Sequence, residues 1–313
     1  MYIAQVFKYR YDFWRYIVGT LIVVAGVFIG QIPLGVAVFL ERGYDILGMQ
    51  QDELLKVLDS NYTFFLMLLT FAIGLAALLY AVKFLHNQPI KSLTTSREKV
   101  DWGRIWFGFG LVAAFTIIVT LVEYVVNPQD FLMNFQPVPF AILFVIAIIM
   151  IPLQTSFEEY LFRGYFMQGL GTLVKNRWVP LIVTSVCFGG LHFANPEVTQ
   201  MGNLIMIYYI GTGFMLGIMT LMDEGMELAL GFHAGNNLIG ALLITADWTA
   251  FQTESVFKDI SNPTAGIDVL IPVFVIYPLF LYIMAKKYGW KDWKKKLFGK
   301  VEKPEVIKFS EEA

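Results

Sequence analysis

One cysteine, three histidines and a charged fraction of 15% are what this 313-residue chain has least of. Each shortage closes off a class of protein. The lone thiol, Cys187, cannot form an intrachain disulfide or a cysteine-based zinc cluster, and its expected role is that of a small buried hydrophobe. Soluble domains are about one-quarter charged, so a water-solvated globule is excluded. A net charge of −2 gives nucleic acid nothing to bind. Neither a G-x-S-x-G elbow nor an H-E-x-x-H helix occurs, which leaves a serine hydrolase or a standard zincin without support.

What the chain does have is apolar length: 57% of it is hydrophobic and the mean hydropathy is +0.61. A hydrocarbon core takes roughly 20 residues of helix. Eight stretches approach that length, running approximately from Ile17 to Leu40, Thr63 to Leu85, Arg104 to Val126, Pro139 to Leu170, Trp178 to Phe193, Asn203 to Met222, Gly225 to Thr245 and Val269 to Ala285. The expected fold is therefore all-α, a polytopic membrane bundle of about eight transmembrane helices. The fifth and seventh stretches are short and carry one histidine each. A single membrane domain over residues 1–300 is expected, with a polar, disordered tail over 301–313. The segment from Lys8 to Tyr16 is polar and aromatic, and the apolar run after it is too long for a cleaved signal, so the first span reads as a retained anchor.

Basic residues orient the bundle. Lys8, Arg10 and Arg15 precede the first span; Lys83, Lys91, Arg97, Lys99 and Arg104 surround the second loop; Lys175 and Arg177 lie in the fourth; Lys286, Lys287, Lys291 and Lys294 to Lys296 follow the last span. The odd-numbered loops are poor in Lys and Arg and carry Glu41, Asp45, Asp52, Glu53, Asp130, Glu197 and Glu254. The positive-inside rule then puts both termini in the cytoplasm, which an even number of spans satisfies. The sixth loop is the exception, being acidic at Asp223, Glu224 and Glu227. The basic tail with Trp290 and Trp293 reads as an interfacial anchor on an anionic leaflet. Gly26/Gly30, Gly213/Gly217 and Gly231/Gly235 have the spacing that lets membrane helices pack closely.

Ionisable side chains at membrane depth are costly and mark functional sites. Three clusters qualify: Glu158-Glu159 with Arg163, His192 four residues after Phe188, and His233 four residues before Asn237. Adjacent helical residues are about 100° apart, so Glu158 and Glu159 are expected to face differently and to differ in role. Glu159 and Arg163, at i and i+4 with the acid first, suit an intrahelical ion pair, with Arg163 as orienter. Glu158 has Leu161 and Phe162 at i+3 and i+4, so it remains free to face another helix and to take and return a proton. The third histidine, His86, beside Asn87 and Gln88, reads as a solvated interfacial residue. Small residues flank His192 and His233, leaving room for a backbone or a substrate. Asn237 shares a face with His233; Asn236 points elsewhere and reads as a packing or hydrogen-bonding group. At about 1.5 Å per residue, Glu158, His192 and Asn237 lie about 18 to 21 Å from the cytoplasmic ends of their helices, and His233 about 12 Å. One site inside the bilayer is expected.

A glutamate, two histidines and an asparagine supply a general base and donors for a developing oxyanion, which is what amide hydrolysis by water needs. Glu158, His192 and His233 equally form a three-ligand zinc set with one position left for water. A transporter or proton-coupled channel also keeps ionisable groups at the midplane, and a noncatalytic scaffold or immunity protein is a third reading.

Glu158-Glu159-x-x-x-Arg163, Phe188-x-x-x-His192 and His233-x-x-x-Asn237, complete and in order, resemble the motifs of the CAAX protease and bacteriocin-processing (CPBP, or Abi) family of intramembrane endopeptidases. The resemblance covers about a third of the chain, from roughly Ile146 to Leu243, within a motif region of about 139–245. It implies an eight-helix bundle with a cytoplasm-facing cavity. It further implies that Glu158 activates water with His192 next to it, and that His233 and Asn237 donate to the oxyanion. Glu159, Arg163 and Phe188 are then supporting residues. The family has been described both as zinc-dependent and as metal-independent, and no cofactor is favoured here. The partners expected are the lipid bilayer and a membrane-associated protein or peptide substrate, at a bacterial plasma (inner) membrane.

Overall fold

The computed structural model describes residues 1–49, 51–263, 265, 266 and 269–303. All eight apolar stretches are helical. They are α1 (Phe13–Arg42), α2 (Ser60–Tyr80), α3 (Trp102–Val126), α4 (Pro137–Glu159), α6 (Trp178–Gly190), α7 (Met206–Asp223), α8 (Glu227–Leu243) and α9 (Tyr277–Tyr288). A wide-turned π segment, Tyr160–Phe166, continues α4 into the short α5 (Met167–Val174). Among the described residues five helices are long and apolar enough to cross a membrane: Phe13–Gly48, Ser60–Leu85, Trp102–Val126, Pro137–Val174 and Asn203–Asp223. The histidine-bearing fifth and seventh stretches and the last are shorter.

Helix limits follow local chemistry. Asp59 and Asp101 cap α2 and α3 by accepting from the backbone N–H of Tyr62 and Arg104, the side-chain cap that satisfies an otherwise orphaned donor. Pro137 opens α4, where its missing N–H costs nothing. Close pairing relies on glycine, because lipid supplies no hydrophobic drive between helices. A Cβ at Gly30 would stand 2.7 Å from the Thr70 Cα, one at Gly213 would stand 2.6 Å from the Ser185 carbonyl, and one at Gly231 would collide with the Ile105 carbonyl. These contacts seat α1 on α2, α7 on α6 and α8 on α3.

The even-numbered loops gather at one end with the first residues of the chain and the segment up to Val301. Ser96 N–H donates to the Glu224 carbonyl, Met226 N–H to Thr94, Arg10 N–H to His86, Arg177 N–H to Gly299 and Val301 N–H to Lys175. The odd-numbered loops gather at the other end. There β1 (Phe131–Met133) and β2 (Ile244–Ala246) flank β3 (Phe257–Asp259), antiparallel and parallel to it respectively, a small sheet that the apolar pattern gave no sign of. Ser60 and Glu197 tie the first and fifth loops to the seventh.

The acidic sixth loop is paired. Arg97 meets Asp223 at 2.7 Å and Glu227 at 3.0 Å, Arg104 meets Asp223, and Arg177 meets Glu224 at 3.4 Å. The expectation of an interfacial Trp290 is corrected: it is buried and its indole N–H donates to Asp223, because an indole at the bundle end has a carboxylate within reach. His86 is likewise not solvated. It is 1% exposed, its Nδ1 lies 2.8 Å from the Arg10 carbonyl and its Nε2 3.0 Å from the Tyr165 hydroxyl, since the segment before α1 folds over it. Burial pushes this imidazole below its ordinary value against the opposing effect of the Arg10 carbonyl. Cys187 is exposed on the outer side of α6 rather than buried, as it shares no face with its buried neighbour Phe188. In the expected tail, Val301 is buried; residues 304–313 lie outside the described residues.

Candidate active site

Glu158 and Glu159 end α4 just where the backbone widens into the π segment that holds Arg163. Such bulges recur at functional sites. Glu159 and Arg163 form the expected i,i+4 pair, 3.0 Å apart with both side chains fully buried. The second guanidinium nitrogen of Arg163 donates to the Gly213 carbonyl at 3.0 Å, and its planar face lies over the Phe188 ring, 4.3 Å away. Arg163 thereby joins three helices.

His233 brings the two glutamates together. Its Nδ1 lies 2.8 Å from Glu159 Oε1, and its Nε2 lies 3.4 Å from Glu158 Oε2. The two carboxylates thus converge on one imidazole from opposite sides. The expectation that they face apart holds for the helix but not for the cluster, because a ring wide enough to present two nitrogens fits between them. Nor is Glu158 without partners. Its other oxygen accepts a 2.7 Å hydrogen bond from Gln154, one turn earlier on α4.

Asn237 donates from Nδ2 to Gln154 Oε1 at 3.1 Å and lies 3.5 Å from His233 Nε2. Asn236, read from sequence as pointing elsewhere, donates to Asn237 Oδ1 at 3.1 Å. Gln154 is 3% exposed and was missed by the motif reading. The available signal was a glutamine inside an apolar membrane stretch, Ile151-Pro152-Leu153-Gln154.

His192 stands one ring away. It sits in the 3-10 turn Leu191–Ala194 that ends α6, with Nδ1 2.9 Å from the Phe188 carbonyl and its ring stacked on Tyr209 at 4.4 Å. Tyr209 is a second residue that no motif marked. Phe188 packs against both His192 and His233, at centroid distances of 5.1 and 5.8 Å. The structure therefore joins Glu158, Glu159, Arg163, His233, Asn237 and Gln154 by polar contacts and sets His192 beside them across Phe188. Gly189 is what lets His192 come so near α7, since a Cβ there would press on the Ile210 backbone at 2.7 Å.

The chemistry follows from these atoms. With Nδ1 donating to Glu159, which can only accept when ionised, His233 presents Nε2 towards Glu158 and Asn237. A buried carboxylate behind an imidazole fixes its tautomer, in acid–base sites and behind metal-bound histidines alike. The zinc set is assembled only in part. Glu158 and His233 adjoin, and among the described residues no three His, Cys, Asp or Glu side chains gather at metal-ligand spacing.

Residues 137–239 match the model of the Rce1-like family, type II CAAX prenyl endopeptidases. That is the family the motifs pointed to, and the match spans all three of them. The chain is also similar to the uncharacterized protein YyaK of Bacillus subtilis (strain 168), with 36% identity over 166 residues, 53% of this chain and 56% of that protein. The chain thus matches about half the length of this curated relative. No solved structure matches.

Proposed function

We propose that the chain is an intramembrane endopeptidase that hydrolyses a peptide bond in a membrane-associated protein or peptide near the cytoplasmic side. In this reading all eight helices cross the membrane, with the basic end and both termini in the cytoplasm. The observation that carries it is Glu158, held inside an apolar span by Gln154 and His233 with Asn237 alongside.

Glu158 takes a proton from water as the oxygen attacks the carbonyl carbon, and returns it to the departing amine. The second N–H of Asn237 donates to the carbonyl oxygen as it becomes negative, and His233 Nε2 donates beside it when the imidazole carries its second proton, Nδ1–H being held by Glu159. Glu159, Arg163 and Phe188 hold His233 in place, and His192 borders the reacting water from across Phe188. The matching family's description names prenylated CAAX substrates; a bacteriocin leader or a membrane-anchored regulator presents the same amide chemistry.

The test is cleavage of a fluorogenic CAAX peptide panel by purified protein in lipid nanodiscs, with Glu158→Ala as the control. Retained cleavage in Glu158→Ala overturns the reading. A noncatalytic scaffold would complement a deletion strain even as Glu158→Ala, and a transporter would give flux in liposomes without cleavage. We favour the metal-independent form, because Asn237 beside His233 suits an oxyanion-binding pair and is a poor zinc ligand. Activity should survive chelation; zinc at about one per chain, lost and restored together with activity, would assign Glu158, His192 and His233 as its ligands instead.

A further inference from the structure

We infer that Asn236, Asn237 and Gln154 form a one-way amide relay ending on Glu158, and that Gln154 is a positioning residue that sets which end of Asn237 meets the substrate. The inference rests on the reading of Glu158 as the group that activates water.

The direction of the relay is dictated by chemistry. An ionised carboxylate only accepts hydrogen bonds, so the Gln154 amide must turn its NH2 towards Glu158 Oε1, at 2.7 Å. Its carbonyl is then left for Asn237, which must answer with its own NH2, at 3.1 Å. Asn237 Oδ1 is left in turn and accepts from Asn236 at 3.1 Å. Each amide has one orientation available, fixed from the charged end. Chains of this kind polarise one another in a low-dielectric interior.

The relay has a consequence for the reaction. One Asn237 N–H is spent on Gln154, and the other stays on the side of His233 Nε2, 3.5 Å away. Without Gln154 the Asn237 amide is free to rotate, and its carbonyl can face the developing oxyanion, repelling it. Gln154 thus acts through Asn237 and Glu158 without touching the substrate.

Gln154→Met keeps the side-chain length and removes both hydrogen bonds. It should lower kcat by about 10- to 100-fold with KM within about twofold, the loss expected when a transition-state donor is misdirected. Asn236→Ala removes only the far end and should lower kcat a few-fold. The deciding measurement is the double variant. Asn236 and Gln154 are joined only through Asn237 in this relay, yet Asn236→Ala should cost nothing further in a Gln154→Met background, whereas two independent structural effects would multiply. A second readout needs no turnover: the infrared carboxylate band of Glu158, identified as the band lost in Glu158→Gln, should shift in Gln154→Met and shift less in Asn236→Ala. Multiplying kcat losses with an unmoved band overturn the relay and leave the protease reading intact. A shifted band in protein whose wild type cleaves nothing supports the relay and overturns the protease reading.

Discussion

At the basic end of the bundle Asp223, Glu224 and Glu227 face Arg97, Arg104 and Arg177, whereas at the Glu158-Glu159 cluster one guanidinium, that of Arg163, pairs with Glu159 and not with Glu158. In the first cluster every carboxylate has a guanidinium, a permanent charge that does not titrate in proteins. In the second, Arg163 is taken by Glu159, and Glu158 is left with an amide and an imidazole. Neither partner carries a permanent charge, and both can be exchanged for a substrate. In the proposed reading the difference separates a clasp from a reaction centre: full local compensation stabilises an end of the fold, and incomplete compensation keeps one carboxylate available for chemistry. The same contrast explains the acidic sixth loop, whose charges offset arginines from the second and fourth loops.

The largest effect should come from the carboxylate without a guanidinium. Glu158→Ala should lower cleavage on the order of 1000-fold, within the range for loss of a general base, while its thermal unfolding midpoint stays close to wild type. An Asp223→Asn variant should do the reverse, keeping kcat and losing stability. If both substitutions abolish cleavage and neither moves the midpoint, the division into clasp and centre fails.

Arg163→Ala should be the most damaging change for stability, about 3 to 5 kcal/mol, since it leaves Glu159 buried and uncompensated. Arg97 is a quarter exposed, so water can reach its partners when it is removed, and Arg97→Ala should cost clearly less in denaturant titrations of both proteins. Glu159→Gln should sit between, lowering the midpoint and only partly reducing turnover. Asn237→Ala should lower kcat about 100-fold, the usual loss for one oxyanion donor, with no comparable loss of stability.

How far these residues could be read from sequence depended on what each signal encodes. The eight helices were legible because apolar runs record lipid contact directly, and the motif spacings put Glu159 against Arg163 and Asn237 one turn after His233. Gln154 was not legible, because a lone glutamine on a helix names no partner until α8 is packed against α4. Tyr209 and the His86 contacts were hidden for the same reason: what buries or stacks them is distant in sequence. The small sheet escaped because its strands have three residues each, too short for alternation to register.

His86 offers a control that belongs to neither cluster. Its imidazole is held below the usual value of 6.5 by burial, so the unfolded chain binds a proton there that the folded protein does not. Stability is then fully present above about pH 6.5 and falls as pH drops below it, by at most about 1.4 kcal/mol per pH unit. His86→Gln should remove this part of the pH dependence of unfolding, and a slope unchanged by the substitution would place its origin in the acidic clasp.

The smallest effect tests whether the two clusters are independent. Trp290→Phe keeps an aromatic ring beside Trp293 and deletes only the 3.0 Å hydrogen bond from the indole N–H to Asp223 Oδ1. Asp223 retains Arg97 and Arg104, so the carboxylate stays compensated and the cost should be about 1 kcal/mol, the net worth of one hydrogen bond. That loss should appear in the unfolding midpoint and nowhere in kcat or KM. The reason is physical: α7 carries Asp223 at its end and the Gly213 carbonyl nearly three turns away, and a rigid helix passes on a displacement of its end only if the whole helix moves. A tenfold drop in kcat for Trp290→Phe, with the midpoint lowered only slightly, would mean that α7 does move and carries the state of the basic end to Arg163 through Gly213.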